Sequence, residues 1–193
     1  MDLAPETRLE RALVLATRLH AGQQRLGTGS AFVSHLLAVA ALVMEYGGDE
    51  DAAVAALLHD AAEDQGGQAT LDLIRQEFGD QVADVVLACS DTLEDPKPPW
   101  RRRKLDYVAS VPGKSPAARL ISMADKLHNV RAVMQGYRSL GEQLWLRFNG
   151  RREGTLWYYR ALAEAFAGSE PRALSEELMR TVDELDRLVG EVP

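Results

Sequence analysis

Between Ala52 and Asp64 the chain reads AAVAALLHDAAED, an apolar helix-forming run that ends with one histidine and three carboxylates within six positions. At about 3.6 residues per turn His59 and Glu63 fall one turn apart, as do Asp60 and Asp64, so the spacing predicts two adjacent columns of acceptor groups on one helix edge. Carboxylates packed so closely repel one another. With Ala and Leu ahead of them the group is expected to be half-buried, where unpaired charge is costly and a cation is the simplest compensation. An isolated His-Asp pair is more often a plain helix end with a satisfied histidine. This pair is not isolated, because FVSHLLAVAALV sets His35 at the start of one apolar helix and RLISMADKLHNVRAVM sets Asp125 in the middle of another. A mid-helix aspartate has poor intrinsic propensity and is rarely buried unless paired or ligating. His35, His59, Asp60 and Asp125 together offer two imidazoles and two carboxylates, a borderline set suited to Mn²⁺, Fe²⁺, Co²⁺ or Zn²⁺. Such an ion would act as a Lewis acid and activate water, leaving Glu63 and Asp64 one turn on to orient that water and accept its proton.

Helices have to position these groups. Apolar spacing predicts them over Pro5 to Ala21, Phe32 to Tyr46, Glu50 to Glu63, Thr70 to Phe78, Gln81 to Ser90, Trp100 to Ser110, Ser115 to Gly136, Gly141 to Asn149, Glu153 to Phe166 and Pro171 to Leu188. No segment alternates at period two, so an all-α bundle of roughly eight to ten helices is expected. The polar, proline-rich stretch from Asp91 to Pro99 reads as a functional loop. It leads into the densest basic run of the chain, Arg101-Arg102-Arg103-Lys104, with Lys97 just ahead. Most of a charge run is solvated helix face, but one or two of these groups, Lys97 and Arg101 foremost, are expected to reach an anionic group of the substrate.

Length and composition set the frame. A chain of 193 residues with 46% hydrophobic content leaves room for one packed core, so residues 1–193 are expected to form a single domain. A net charge of -7 argues against duplex nucleic acid as a partner. The lone cysteine, Cys89, forms no internal disulfide and suits a reducing cytoplasm. No apolar run reaches membrane-span length, and MDLAPETRLE lacks the basic-then-apolar layout of a signal peptide.

The order His35, then His59-Asp60, then Asp125 resembles the HD superfamily of metal-dependent phosphohydrolases. More narrowly, LATRLHAGQQR (Leu15 to Arg25), FVSH (Phe32 to His35), LLHDAAED (Leu57 to Asp64) and MADKLHNVR (Met123 to Arg131) resemble the hydrolase half of the Rel/SpoT alarmone enzymes and the stand-alone small alarmone hydrolases. The resemblance runs from about Leu13 to Arg131. It implies an HD-type helical bundle that only hydrolyses, with no room for a synthetase half, and a divalent metal, with Mn²⁺ the expected ion. It assigns the water to Glu63 and Asp64, purine stacking to the guanidinium of Arg25, which is planar and weakly hydrated, and a place near the ribose to Asn129. His20 matches a family position with a structural or supporting role. WYYR, at Trp157 to Arg160, corresponds to an aromatic and basic helix near the nucleotide.

The chain departs from the family in Phe32, Val33 and Leu36 around the ligand histidine, where tyrosine, isoleucine and proline are usual, and in Lys126, where many members carry arginine. Neither change touches the candidate metal ligands, and Lys126 is kept as a substrate contact. The expected activity is 3′-pyrophosphohydrolysis of guanosine or adenosine alarmones, a purine nucleotide being the small-molecule substrate. A nucleotidase or NADPH phosphatase of the HD type, and a non-enzymatic HD sensor that binds nucleotide, are the alternatives.

Overall fold

The computed structural model describes residues 7–190, and among them every regular element is a helix. In chain order these are α1 (Arg8–Leu19), α2 (Val33–Glu45), α3 (Glu50–Leu58), α4 (Ala61–Asp64), α5 (Gly67–Phe78), α6 (Asp80–Cys89), α7 (Trp100–Ser110), α8 (Pro116–Leu140), α9 (Arg151–Ala165) and α10 (Arg172–Gly190). Short 3-10 turns lie at Val111–Gly113 and Gly141–Arg147. The all-α expectation holds. Pro5, the expected start of the first helix, lies outside the described residues.

Local chemistry fixes where the helices begin. Thr7 and Glu10 form a reciprocal capping box at α1, each side chain taking the other's backbone N–H. Asp49 accepts the Ala52 N–H at 2.9 Å to open α3, and Ser115 accepts that of Ala118 at 3.2 Å to open α8, with Pro116 in the first turn.

Helix α3 is the central rod: every residue from Ala52 to Leu58 is buried, and α1, α2, α6 and α8 pack around it. An all-round apolar helix is stable only in such a place. The 25-residue α8 crosses α2, α3 and α6 and is backed by α10, whose Leu174, Leu178, Val182, Leu185 and Val189 form one buried stripe. Glu177 of α10 accepts from both Tyr46 and Arg131, tying the end of α2 and the second half of α8 to the same helix. No helix among the described residues is long and apolar enough to cross a membrane.

The structure departs from the sequence expectation in three places. The helix expected over Glu50 to Glu63 breaks after Leu58, and His59 and Asp60 form the turn before α4. The His59 ring donates from Nδ1 to the Ala56 carbonyl at 2.7 Å, the carbonyl that a continuing helix would offer to the Asp60 N–H. Helix α8 runs through Gly136 to Leu140, because that glycine serves close packing: a Cβ there would stand 2.9 Å from Leu144 Cδ1. The segment after Gly141 winds as a 3-10 turn instead of an α-helix.

Leu127, two residues after Asp125 on α8, is fully buried in the core. Leu127→Ala should cost about 2–5 kcal/mol of unfolding free energy in a urea titration. A loss under about 1 kcal/mol would show that this packing does not anchor α8.

Candidate functional site

Three helices deliver the candidate ligands to one point. His35 comes from the first turn of α2, His59 and Asp60 from the break after α3, and Asp125 from the middle of α8. His35 Nε2 lies 3.2 Å from Asp125 Oδ1 and 3.4 Å from Asp60 Oδ2. His59 Nε2 lies 3.1 Å from Asp60 Oδ2 and 3.7 Å from Asp125 Oδ1. Ligand atoms of His35, His59 and Asp125 all fall within 4.8 Å of one another. Both Nε2 atoms are buried and make no aligned hydrogen bond, although each faces two carboxylates. Two lone-pair nitrogens converging with two carboxylate oxygens fit a borderline divalent cation.

The outer groups orient the inner ones. His59 Nδ1–H is committed to the Ala56 carbonyl, which points its Nε2 at the cluster. His35 Nδ1 faces His128 Nδ1 at 2.8 Å, so only one of the two nitrogens carries a proton. Burial, with His35 and Arg25 adding to it, pushes His128 down to about 4. With that proton on His35 Nδ1, the neutral His128 accepts it and the His35 Nε2 lone pair is left to face the carboxylates. Lys126 donates to Asp125 Oδ2 at 2.5 Å and Asn129 to Asp125 Oδ1 at 2.5 Å. Asn129 in turn accepts from Arg25 at 2.5 Å.

Electrostatics show the demand for positive charge here. Burial opposes charge on His59, but Asp60 and then Asp125 outweigh it and hold the imidazolium well above its ordinary range. Burial equally opposes the Lys126 ammonium, and Asp125 keeps it charged.

Glu63 and Asp64 stand at the edge of a cleft of about 630 Å³ that also exposes Arg25, Arg103, Lys104 and Lys126. Glu63 accepts the Asp91 N–H at 3.0 Å and Lys97 Nζ at 3.1 Å. Asp64 accepts from Gln23 at 3.0 Å and lies 3.5 Å from Lys97. Asp91, only 2% exposed, takes Lys104 at 2.6 Å and Arg103 at 2.5 and 2.6 Å. Burial and then the Asp91 charge push Glu63 up to about 7. Burial also works against the Asp91 carboxylate, but Lys104, Glu63 and Arg103 bring it down to about 2.

The structure brings Arg25, Asn129 and Lys126 to the cleft and Lys97 to the acid pair. It does not bring Arg101 there. Helix α7 turns Trp100, Arg103 and Lys104 inward at spacings of three and four, which leaves Arg101 outside, stacked 3.3 Å over the Trp157 ring. Of the aromatic segment, Tyr158 and Tyr159 line the cleft while Arg160 turns away to Asp183 and Asp186. Trp100 reaches its place because Gly150 has no side chain: a Cβ there would sit 2.6 Å from the indole. Sequence reasoning passed over Asp91, His128 and Gln23. His128 had a signal, one turn beyond Asp125 on the same helix, whereas the partners of Asp91 lie 12 and 13 residues away and no local pattern marks it.

With this geometry in hand, comparison with known proteins is decisive for the family. The family model described as "HD domain" matches residues 12–156. The chain belongs to the HD domain family. This HD domain is 36% identical over 126 residues to the human guanosine-3′,5′-bis(diphosphate) 3′-pyrophosphohydrolase MESH1, covering 64% of this chain and 68% of that protein. It is 30% identical over 191 residues to the GTP pyrophosphokinase of Streptomyces antibioticus, which spans 95% of this chain but 21% of that longer protein. Among solved structures, lmo0812 from Listeria monocytogenes EGD-e superposes with a TM-score of 0.68 at 30% identity, covering 82% of this chain and 99% of that one. A metazoan ortholog of SpoT superposes with a TM-score of 0.76 at 24% identity over 99% of this chain and 100% of that one, and shares the fold.

The raised Glu63 makes stability depend on pH. Its folded value, about 7, exceeds the ordinary 4.5, so the stability it contributes is full below about 4.5 and is lost as pH rises through about 7. Metal-stripped protein should therefore show a melting temperature that falls over that window, and Glu63→Gln should flatten the fall. An unchanged slope in the variant would remove Glu63 as its source.

Proposed function

We propose that this HD domain is a metal-dependent 3′-pyrophosphohydrolase of purine alarmones, the whole described chain working as one hydrolase unit. The observation that carries this reading is the convergence of His35, His59, Asp60 and Asp125 beside an acid pair, at the edge of a cleft that also holds Arg25 and Asn129 and is lined by Arg103 and Lys104. The activities printed for the human relative and for the Aquifex aeolicus relative, both 3′-pyrophosphohydrolases, support the same substrate class.

A divalent ion held by these four residues, with Mn²⁺ our choice, would lower the pKa of water and polarise the phosphorus. The chain supplies the rest. Arg103 and Lys104, fixed by Asp91, hold the pyrophosphate oxygens by charge-assisted hydrogen bonds. Arg25 stacks on the purine, and Asn129 is released from it toward the ribose. Asp64 orients the water and Glu63, near 7, accepts its proton; a base with that value suits neutral pH. The water oxygen bonds to the phosphorus on the 3′ oxygen, the bond from that phosphorus to the 3′ oxygen breaks, and the 3′ oxygen takes the proton held by Glu63, giving pyrophosphate and a free 3′-hydroxyl. The net charge of -7 disfavours nucleic acid as a partner, and the single buried thiol, Cys89, suits the reducing cytoplasm.

The test is turnover of 3′-pyrophosphorylated guanosine and adenosine nucleotides with Mn²⁺ added and then chelated. Pyrophosphate released in equal amount to substrate consumed, and abolished by chelation, is the expected result. Release of inorganic phosphate would move the reading to an HD-type phosphatase, and binding without turnover would move it to a sensor.

A further inference from the structure

Gln23 lies in the turn between α1 and α2 and lines the cleft, yet its side-chain amide is committed at both ends. Its Oε1 accepts from His20 Nδ1 at 2.7 Å and from Gln65 Nε2 at 2.6 Å. Its Nε2 donates to Asp64 Oδ2 at 3.0 Å. The orientation follows from donor and acceptor chemistry. A carboxylate only accepts, so the amide must turn its NH₂ toward Asp64, and Oε1 is then the acceptor that both His20 and Gln65 meet. Turning the amide over would set NH₂ against the Gln65 NH₂ and an oxygen against Asp64.

The backing is rigid. His20 is 3% exposed and lies flat against Phe32, ring centroids 4.9 Å apart at 11°. With the Nδ1 proton spent on Gln23, its buried Nε2 finds no hydrogen-bond partner among the described residues. Asp64 itself sits on the four-residue α4, where the second donor near its carboxylate is Lys97 at 3.5 Å, from the loop between α6 and α7. A group that must aim a water needs a firmer hold than that.

We infer that Gln23 is a positioning residue for the Asp64 carboxylate, braced by His20 and Gln65, and the inference rests on the reading of Asp64 as the group that orients water. Among the described residues Gln23 makes no hydrogen bond to the candidate metal ligands, so its effect should appear in turnover alone, as expected for an interaction used in the transition state.

The experiment is a double-mutant cycle. Gln23→Leu removes all three hydrogen bonds, whereas Gln23→Glu keeps both bonds to Oε1 and turns an oxygen toward Asp64, and the melting temperature of each variant is recorded beside its kinetics. Each should lower kcat at least about tenfold, with KM within about threefold and the Mn²⁺ content of the wild type. In an Asp64→Asn background the same substitutions should change kcat by less than about twofold, because residues that act through one another are not additive. Equal fold-losses in both backgrounds, a rise in KM at constant kcat, or wild-type turnover in Gln23→Glu would each overturn the inference. Wild-type turnover in Asp64→Asn alone would overturn the role given to Asp64, and this inference with it, whereas reduced turnover there together with additive Gln23 effects would overturn the inference alone.

Discussion

Two carboxylates and two imidazoles meet inside a helical core, and the surrounding structure is arranged to tolerate that concentration of charge. Asp60 and Asp125 stand within 3.1 to 3.7 Å of the His35 and His59 Nε2 atoms, in surroundings where an unpaired charge costs several kcal/mol. A cation among the three contributing helices would relieve that cost. Without an ion a proton on His59 is the substitute, and it must leave when an ion binds.

Around this centre the hydrogen bonds extend outward in two directions. On one side Lys126, Asn129 and Arg25 link Asp125 to the cleft, so that a guanidinium suited to a purine is two hydrogen bonds from a candidate ligand. On the other side Asp91 gathers Arg103 and Lys104 and raises Glu63, giving one carboxylate control over both the cationic wall and the proton acceptor. The same burial that pushes Glu63 up is overcome at Asp91 by two cations. Environment, more than residue type, separates the two acids.

Much of this was legible in the sequence, and the reason is short-range. His59-Asp60 and Asp125 stood out because polar groups in the middle of apolar helical runs violate the local pattern. The helices themselves followed from apolar spacing, but the break after Leu58 did not, since it depends on a histidine ring taking a carbonyl from the preceding turn. A basic run shows its charge and hides its helical phase: Arg103 and Lys104 line the cleft, whereas Arg101 stacks on Trp157. Asp91 and His128 gain their roles from partners 12 or more residues away, on other elements, and only the tertiary structure assembles those pairs.

The central claim is that His35, His59, Asp60 and Asp125 hold one divalent ion. Diffraction from crystals soaked in Mn²⁺, recorded at the manganese absorption edge, addresses it directly. The account predicts one anomalous peak per chain, within about 2.0–2.3 Å of the two Nε2 atoms and of one oxygen from each aspartate, and its disappearance in Asp125→Ala. A peak held by Glu63, Asp64 and Asp91 instead, or none at these four residues at saturating Mn²⁺, would contradict it.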